Sequence, residues 1–357
     1  MELTSQEISR FKRHLLLPEI GVEGQLALKK ARVLVIGAGG LGNAVLPYLA
    51  AAGVGNITVI DNDVVDISNL QRQVLFTEND LGKPKSELAV KRLQAINSNG
   101  NFTSHQTFFT ESNALELAKN QDVIVDCVDQ IHVRYLINDA AVYYEIPMVY
   151  GAIHKFEGQV AVFNHKESAT YRCAFPENKT KKPAPNCEEL GVVGVLPGII
   201  GMYQAMEVIK IITGAGTVLS NKIWMIDLLN NANHTIAIER NKESIEISKQ
   251  RMTELASSPQ NNEIIDITGA DIERVIAQHA NLVIIDIQPQ TNVESLAGVA
   301  VTHIPVFDLE SRLIELDKSQ PILLYCAHGI NSQWATQLLK QEEFKTIYHL
   351  VGGITAV

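Results

Sequence analysis

Residues 32–43 read Arg-Val-Leu-Val-Ile-Gly-Ala-Gly-Gly-Leu-Gly-Asn. A β-branched apolar run ends in a glycine cluster that opens a helical pattern, so the spacing predicts strand, tight turn and helix. In such a turn the backbone N–H groups and the helix N-terminus converge on a phosphate. Gly37, Gly39, Gly40 and Gly42 are the candidate phosphate-binding positions. The next apolar run, 57–60, ends at Asp61, where a carboxylate can bond a ribose hydroxyl. The same spacing satisfies the G-x-G-x-x-G fingerprint of NAD enzymes, so taken alone it does not separate a dinucleotide from ATP. Pro47 falls inside the predicted helix and should bend or shorten it.

The pattern repeats outward from this turn. Residues 86–96 carry Leu88, Ala89, Leu93 and Ile96 with helical period, and a third apolar run, 122–125, leads into Asp126-Cys127-Val128-Asp129. Strand, glycine turn, helix and strand are the plan of a Rossmann-like, doubly wound parallel α/β sheet. Residues 1–30 are amphipathic and helical in period, 142–151 and 159–163 read as further strands, and 164–190 as a long polar loop rich in Lys and Pro. The reading divides the chain into a domain at 1–240, a polar linker at 241–262 and a small α/β domain at 263–357. In that last part, 271–278 and 333–340 are predicted helices and 282–287 and 321–325 predicted strands. Residues 191–212 are apolar until Glu207 and Lys210 interrupt them, short of the run of about 20 that a membrane span needs. They predict a buried helix after a tight turn.

Two domains also suit 357 residues at about 150 per domain. Hydrophobic residues at 46% against 20% charged are enough for packed cores and exclude wholesale disorder. Lys plus Arg number 30 against 40 Asp plus Glu, a formal charge of -10 that argues against nucleic acid or an anionic membrane as partner. Cys127, Cys173, Cys187 and Cys326 form no C-x-x-C pair, which suits a reducing compartment. With no basic start or apolar run in residues 1–7, a cytoplasmic location is expected.

The segment after Asp61 separates the two ligands. Residues 61–73 read Asp-Asn-Asp-Val-Val-Asp-Ile-Ser-Asn-Leu-Gln-Arg-Gln, and 82–85 read Gly-Lys-Pro-Lys. A hydride-transfer site has no use for this cluster, whereas Arg72 and Lys85 can stabilise triphosphate oxygens by charge-assisted hydrogen bonds. Asp126 and Asp129, leaving a strand end at the expected switch point, offer hard oxygen ligands for Mg²⁺. The sequence resembles the molybdopterin-synthase and thiamine-biosynthesis adenylyltransferases of MoeB/ThiF type, relatives of the ubiquitin-activating enzymes, from about residue 10 to residue 240. The likeness rests on 37–42, Ala-Ala-Gly-Val-Gly at 51–55, Ser-Asn-Leu-Gln-Arg-Gln at 68–73, Gly-Lys-Pro-Lys at 82–85, Asp-Cys-Val-Asp at 126–129 and Gln-Ala-Met-Glu at 204–207. It implies ATP binding by Gly39, Gly40, Asp61, Asn69, Arg72 and Lys85, with neighbouring Gln73, and Mg²⁺ on Asp129. It also implies a homodimer in which Arg13 reaches the partner's phosphates. The implied reaction is attack by the Gly-Gly carboxylate of a small ubiquitin-like sulfur carrier on the ATP α-phosphate. An NAD-dependent oxidoreductase is the remote alternative.

Cys187 lies in the polar loop ahead of the glycine-rich helix start, where a thiol can become a nucleophile. In the family such a cysteine can capture the activated acyl or persulfide group. Many members bind zinc through two C-x-x-C pairs; here Thr170-Tyr-Arg-Cys173 keeps one cysteine and no later pair follows, so no structural zinc is expected. Cys127 reads as a core residue. Over most of 262–357 the chain resembles a rhodanese-like sulfurtransferase, on 282–286, His303-Ile-Pro305, Tyr325-Cys-Ala-His-Gly-Ile-Asn-Ser332 and Gly352-Gly-Ile354. Cys326, past a strand and before a helix, can collect N–H groups around a thiolate or persulfide. Ala327, Asn331, Gln288 and Val357 depart from the usual residues, and Ser332 stands where a phosphatase-type loop would place its arginine. These departures weigh against free thiosulfate and toward a protein donor such as a cysteine desulfurase. A docking tail without sulfur chemistry, beside adenylylation alone, is the other reading.

Overall fold

Strand β1 (Arg32–Ile36) is buried at every position but Arg32, as a parallel strand covered on both faces requires. The computed structural model describes residues 2–177, 191–257, 264–289, 296, 299–342 and 344–357. They fall into two compact units, Met1–Ser257 and Ser258–Val357.

In the first unit, α1 (Ser5–Arg10), α2 (Lys12–Leu15) and α3 (Gly21–Lys30) precede β1. Buried Glu7 pairs with Lys29 at 2.8 Å and Arg10 donates to the Ile96 carbonyl at 2.8 Å, tying this segment to the unit. There follow α4 (Gly40–Ala52), β2 (Asn56–Ile60), α5 (Lys85–Ile96), β3 (Asn101–His105), α6 (Glu111–Ala118), β4 (Val123–Asp126), α7 (Ile131–Tyr143), β5 (Met148–His154), β6 (Glu157–Phe163), α8 (Tyr171–Ala174), α9 (Val195–Thr213), β7 (Lys222–Asp227), β8 (Ala232–Ala237) and α10 (Lys242–Ser257). The sheet order is β3-β2-β1-β4-β5-β6-β7-β8. Strands β3 through β5 are parallel and β6 to β8 extend the sheet antiparallel. Chain order reverses between β1 and β4, which opens a crevice at their carboxyl ends.

Apolar clusters cover both faces, one joining β1 to Leu41, Val45 and Leu49 of α4 and Leu196 and Ile200 of α9, the other joining it to Ile137 of α7 and Met252 of α10. Helix α9 is long and apolar enough to cross a membrane, yet Leu196, Ile200, Ala205 and Val208 pack into the core. Helix α4 is not shortened at Pro47; it runs to an αL cap at Gly53, φ 91°.

Two expectations are corrected. Residues 142–151 are not one strand: Ala140–Val142 belong to the buried face of α7, and β5 begins at Met148, after Pro147. The expected linker 241–262 holds α10, whose Ile245, Ser248 and Met252 are buried at helical spacing, with Ser248 Oγ bonded by Asn138 Nδ2 at 3.0 Å. Its polar composition is that of a helix with one solvated face.

In the second unit β9 (Ile264–Ile267), α11 (Ile272–Gln278), β10 (Val283–Asp286), β11 (Thr302–His303), α12 (Leu309–Arg312), β12 (Ile322–Tyr325), α13 (Ile330–Gln341) and β13 (Ile347–Leu350) build a parallel sheet of order β11-β10-β12-β13-β9. Cores on its two faces include Leu324, Ala335 and Phe344 on one and Ile284, Leu323 and Tyr325 on the other.

Candidate functional site

The four glycines of the turn divide by what a side chain would meet. A Cβ on Gly37, whose φ is +98°, would stand 2.6 Å from the Cys127 carbonyl oxygen, and one on Gly42 would stand 2.2 Å from Gly37 O. These two let β1, β4 and α4 approach. A Cβ on Gly39 would meet only Gln73 Nε2, at 3.8 Å, and one on Gly40 would face Pro197 and Arg72 Cδ. The open side of the turn therefore looks toward Arg72 and Gln73. Gln73 is 3% exposed and its Oε1 has no partner, a buried acceptor waiting for a donor.

Asp61 locks the turn: Oδ2 accepts from Ala38 N at 2.7 Å and Oδ1 from Asp63 N at 2.8 Å. Burial, then the Asp63 charge, pushes its carboxyl up to about 6, although Lys85 and both N–H bonds pull the other way. Asn43, which sequence reasoning passed over, donates to Ala38 O and Gly39 O and accepts from Leu75 N at 2.7 Å, stitching the turn to the segment bearing Arg72 and Gln73. Lys85, 4% exposed, donates to Asp63 at 3.0 Å, and Arg72 Nη1 to the Ser68 carbonyl at 3.0 Å. Asn69 is engaged locally, accepting from Asp66 N at 3.2 Å.

Asp129 is exposed on the loop after β4. Behind it, Asp126 is fully buried, with Oδ2 3.4 Å from Arg134 Nε, and neither atom has a hydrogen-bond partner. Burial pushes the Asp126 carboxyl up against the pull of Arg134. Arg134 Nη2 also donates to Val128 O at 2.6 Å, bracing the residue before Asp129. No single-sequence signal marks Arg134, because its role depends on β4 and β5 meeting α7. Arg13 is exposed on α2, and among the described residues no hydrogen bond or ion pair joins it to these groups.

Gly39, Gly40, Asp61, Arg72 and Gln73 are thus brought together, Lys85 joins through Asp63, and among the described residues no hydrogen bond or ion pair joins Asp129 or Arg13 to them. Cys187 lies outside the described residues. Cys173 Sγ accepts from Asn241 N at 3.2 Å and lies 3.2 Å from Thr170 Oγ1. Cys127 is buried, and burial pushes its thiol up.

In the second unit Cys326 follows β12, and Gly329, φ +84°, caps α13. Ser332 N and Ser332 Oγ each lie 3.4 Å from Cys326 Sγ. Ile354 N donates to Cys326 O at 2.9 Å and Thr355 N to Ala327 O at 3.1 Å. These bonds engage the two loop carbonyls with the 354–355 backbone. Gly353 permits the approach, since a Cβ there would stand 2.4 Å from both oxygens. His349 Nε2 meets Gly329 O at 3.0 Å while Nδ1 meets Asp266 at 2.9 Å.

Comparison with known proteins gives two family matches: ThiF family over residues 11–247 and rhodanese-like domain over 252–357. The chain is 44% identical over 246 residues to a sulfur carrier protein adenylyltransferase of Thermus thermophilus, covering 68% of this chain and 91% of that protein. It is 36% identical over 371 residues to a probable adenylyltransferase/sulfurtransferase, MoeZ, of Mycobacterium tuberculosis, covering 99% and 93%. The crystal structure of E. coli MccB with MccA-N7isoASN shares the fold, with a TM-score of 0.59 and 23% identity over 65% of this chain and 72% of that chain.

Proposed function

This chain belongs to the ThiF family and carries a C-terminal rhodanese-like domain, and from that premise we propose that it adenylylates the C-terminal glycine of a ubiquitin-like sulfur carrier protein and couples this to sulfur transfer. The observation that carries the reading is the open side of the glycine turn, where Gly39 and Gly40 face Gln73 Nε2 and the Arg72 side chain, both able to donate to phosphate oxygens. ATP phosphates there would accept from turn N–H groups at the α4 N-terminus, and Asp61 would accept from a ribose hydroxyl. Arg72 and Lys85 supply the positive charge that a developing pentavalent phosphorus needs. The carrier carboxylate oxygen forms a bond to the α-phosphorus, the bond to pyrophosphate breaks, and the product is a carrier acyl-adenylate.

Asp129, exposed beside the crevice, would hold Mg²⁺, which takes one or two carboxylates plus substrate phosphates and neutralises their charge. A homodimer is proposed, with Arg13 completing the partner's site. Arg13, exposed and unpaired among the described residues, and the exposed apolar residues Val195, Met202, Tyr203 and Met206 of α9 support it. Cys326 is assigned the persulfide, received from a protein donor such as a cysteine desulfurase, and Cys187 either the displacement of AMP or the resolution of the mixed disulfide. The free cysteines Cys127, Cys173 and Cys326 suit a cytoplasmic setting, in molybdopterin, thiamine or related sulfur metabolism. ATP–pyrophosphate exchange that needs a Gly-Gly-ended carrier tests the first step; tight NADH binding without competition from ATP would refute it.

A further inference from the structure

We propose that the Ser332 hydroxyl is the positioning group that holds Cys326 as a thiolate, turning between Gly329 O and Cys326 Sγ, while His349, fixed by Asp266, keeps Gly329 O satisfied in both settings. The inference rests on the assignment of the persulfide to Cys326.

Cys326 is 4% exposed and Ser332 fully buried, so neither sulfur nor hydroxyl has bulk water to turn to. Ser332 Oγ lies 3.1 Å from Gly329 O and 3.4 Å from Cys326 Sγ, and one hydroxyl proton serves only one of them. Gly329 O also faces Gln333 N at 3.1 Å and His349 Nε2 at 3.0 Å. Three donors converge on a carbonyl with two lone pairs, so the hydroxyl is the surplus one. Its departure leaves nothing unpaired. Because Gly329 O can only accept, Nε2 is the donor in that bond, and Asp266 lies 2.9 Å from Nδ1 on the other side of the ring.

Two settings result. With a thiol, Sγ–H donates to Ser332 Oγ and the hydroxyl donates to Gly329 O. With a thiolate, the hydroxyl and Ser332 N–H both donate to Sγ, and a bond to a charged acceptor is the stronger one. None of residues 326–333 is Lys or Arg, and the donors that lie within reach of Sγ are the Ser332 hydroxyl and N–H. Other titratable groups on the surrounding elements include exposed His328, Asp286 opposite Tyr325 in the β10–β12 register, His303, bonded to Gln288 O, Lys340 of α13 and Tyr348 of β13. In the step served, the Cys326 thiolate attacks the outer sulfur of a donor persulfide. A new S–S bond forms, the donor's S–S bond breaks, the donor leaves as thiolate, and the outer sulfur keeps its proton.

The test uses the full chain and reads iodoacetamide alkylation of Cys326 across pH by peptide mass spectrometry. Ser332→Ala should raise the midpoint by about one pH unit, a tenfold slower reaction near neutrality. Ser332→Thr should restore it, and His349→Phe should raise it by less. A wild-type midpoint in melting-verified Ser332→Ala overturns the proposal; if that variant fails to fold, a wild-type midpoint in folded His349→Phe does so. Exposure of the wild type to cysteine persulfide is read separately by intact mass. If Cys326 gains no sulfur, the persulfide assignment falls while the alkylation result still decides the role of Ser332.

Discussion

Gly39→Ala and Gly42→Ala are chemically the same change three residues apart, and the structure assigns them opposite effects. At Gly42 the new methyl would lie 2.2 Å from Gly37 O, against an ordinary contact of 3.4–4 Å, so backbone must move by more than an ångström. Overpacking of this kind costs about 1–3 kcal/mol, and a helix-favouring gain of about 1 kcal/mol offsets part of it. At Gly39, φ -74° suits any residue and only Gln73 Nε2 is near, at 3.8 Å. Alanine is the poorer N-cap, which offsets the about 0.5 kcal/mol gained from a stiffer unfolded chain, so Gly39→Ala should stay within about 0.5–1 kcal/mol of the wild type. Its methyl would nonetheless stand where a phosphate oxygen approaches the turn. Losing one charge-assisted bond there, about 1.5–3 kcal/mol, weakens ATP binding tenfold or more. Calorimetric melting and ATP titration of both variants decide it. Wild-type ATP affinity in Gly39→Ala would remove the phosphate from the turn, and a Gly42→Ala protein as stable as Gly39→Ala would refute the packing argument.

Other outcomes come from the same geometry. Asp139 receives Arg172 Nε and Nη2, both at 2.7 Å, with both side chains buried, so Asp139→Asn should cost about 3 kcal/mol and loosen α10; hydrogen exchange over Lys242–Ser257 and a denaturant melt check it, and a loss under about 1 kcal/mol would contradict it. Asp61 binds its proton more tightly in the folded chain, up to about 6 against 3.8, so its contribution to stability falls as pH rises through that window. Asp61→Asn should therefore gain on the wild type between about pH 4 and 7 in paired melts; a constant difference would tell against it. Mixing Arg13→Ala with Asp129→Ala protein should regain pyrophosphate exchange in mixed dimers, and none despite proven subunit exchange would place Arg13 outside the partner's site.

The first half of the fold was legible because its signals are local. An apolar run, glycines and an acid at the next strand end suffice to place β1, α4 and β2. Strands β7 and β8 carry no such mark: β8 is exposed along its length, so no burial pattern was written into its residues. Helix α10 read as linker because only one narrow stripe, Ile245, Ser248 and Met252, is buried. The site obeys the same rule. Asp61, Arg72 and Gln73 lie within one short stretch, whereas Arg134, Asn43 and His349 act through contacts with residues distant in sequence, which a single sequence does not display.

Strand β9 opens the second unit and pairs with β13, its last strand, and segment 352–355 then closes over the carbonyls of Cys326 and Ala327. These pairings join residues far apart in the chain, so none can form before residues 347–355 have been made. During synthesis on the ribosome the thiol at 326 emerges before the residues that shape its surroundings. Until the chain through Thr355 has been made and docked, Cys326 has no ordered amide cradle. A half-made or partly unfolded chain therefore lacks the ordered loop around Cys326, and the sulfur chemistry proposed for that residue would be a property of the finished unit alone.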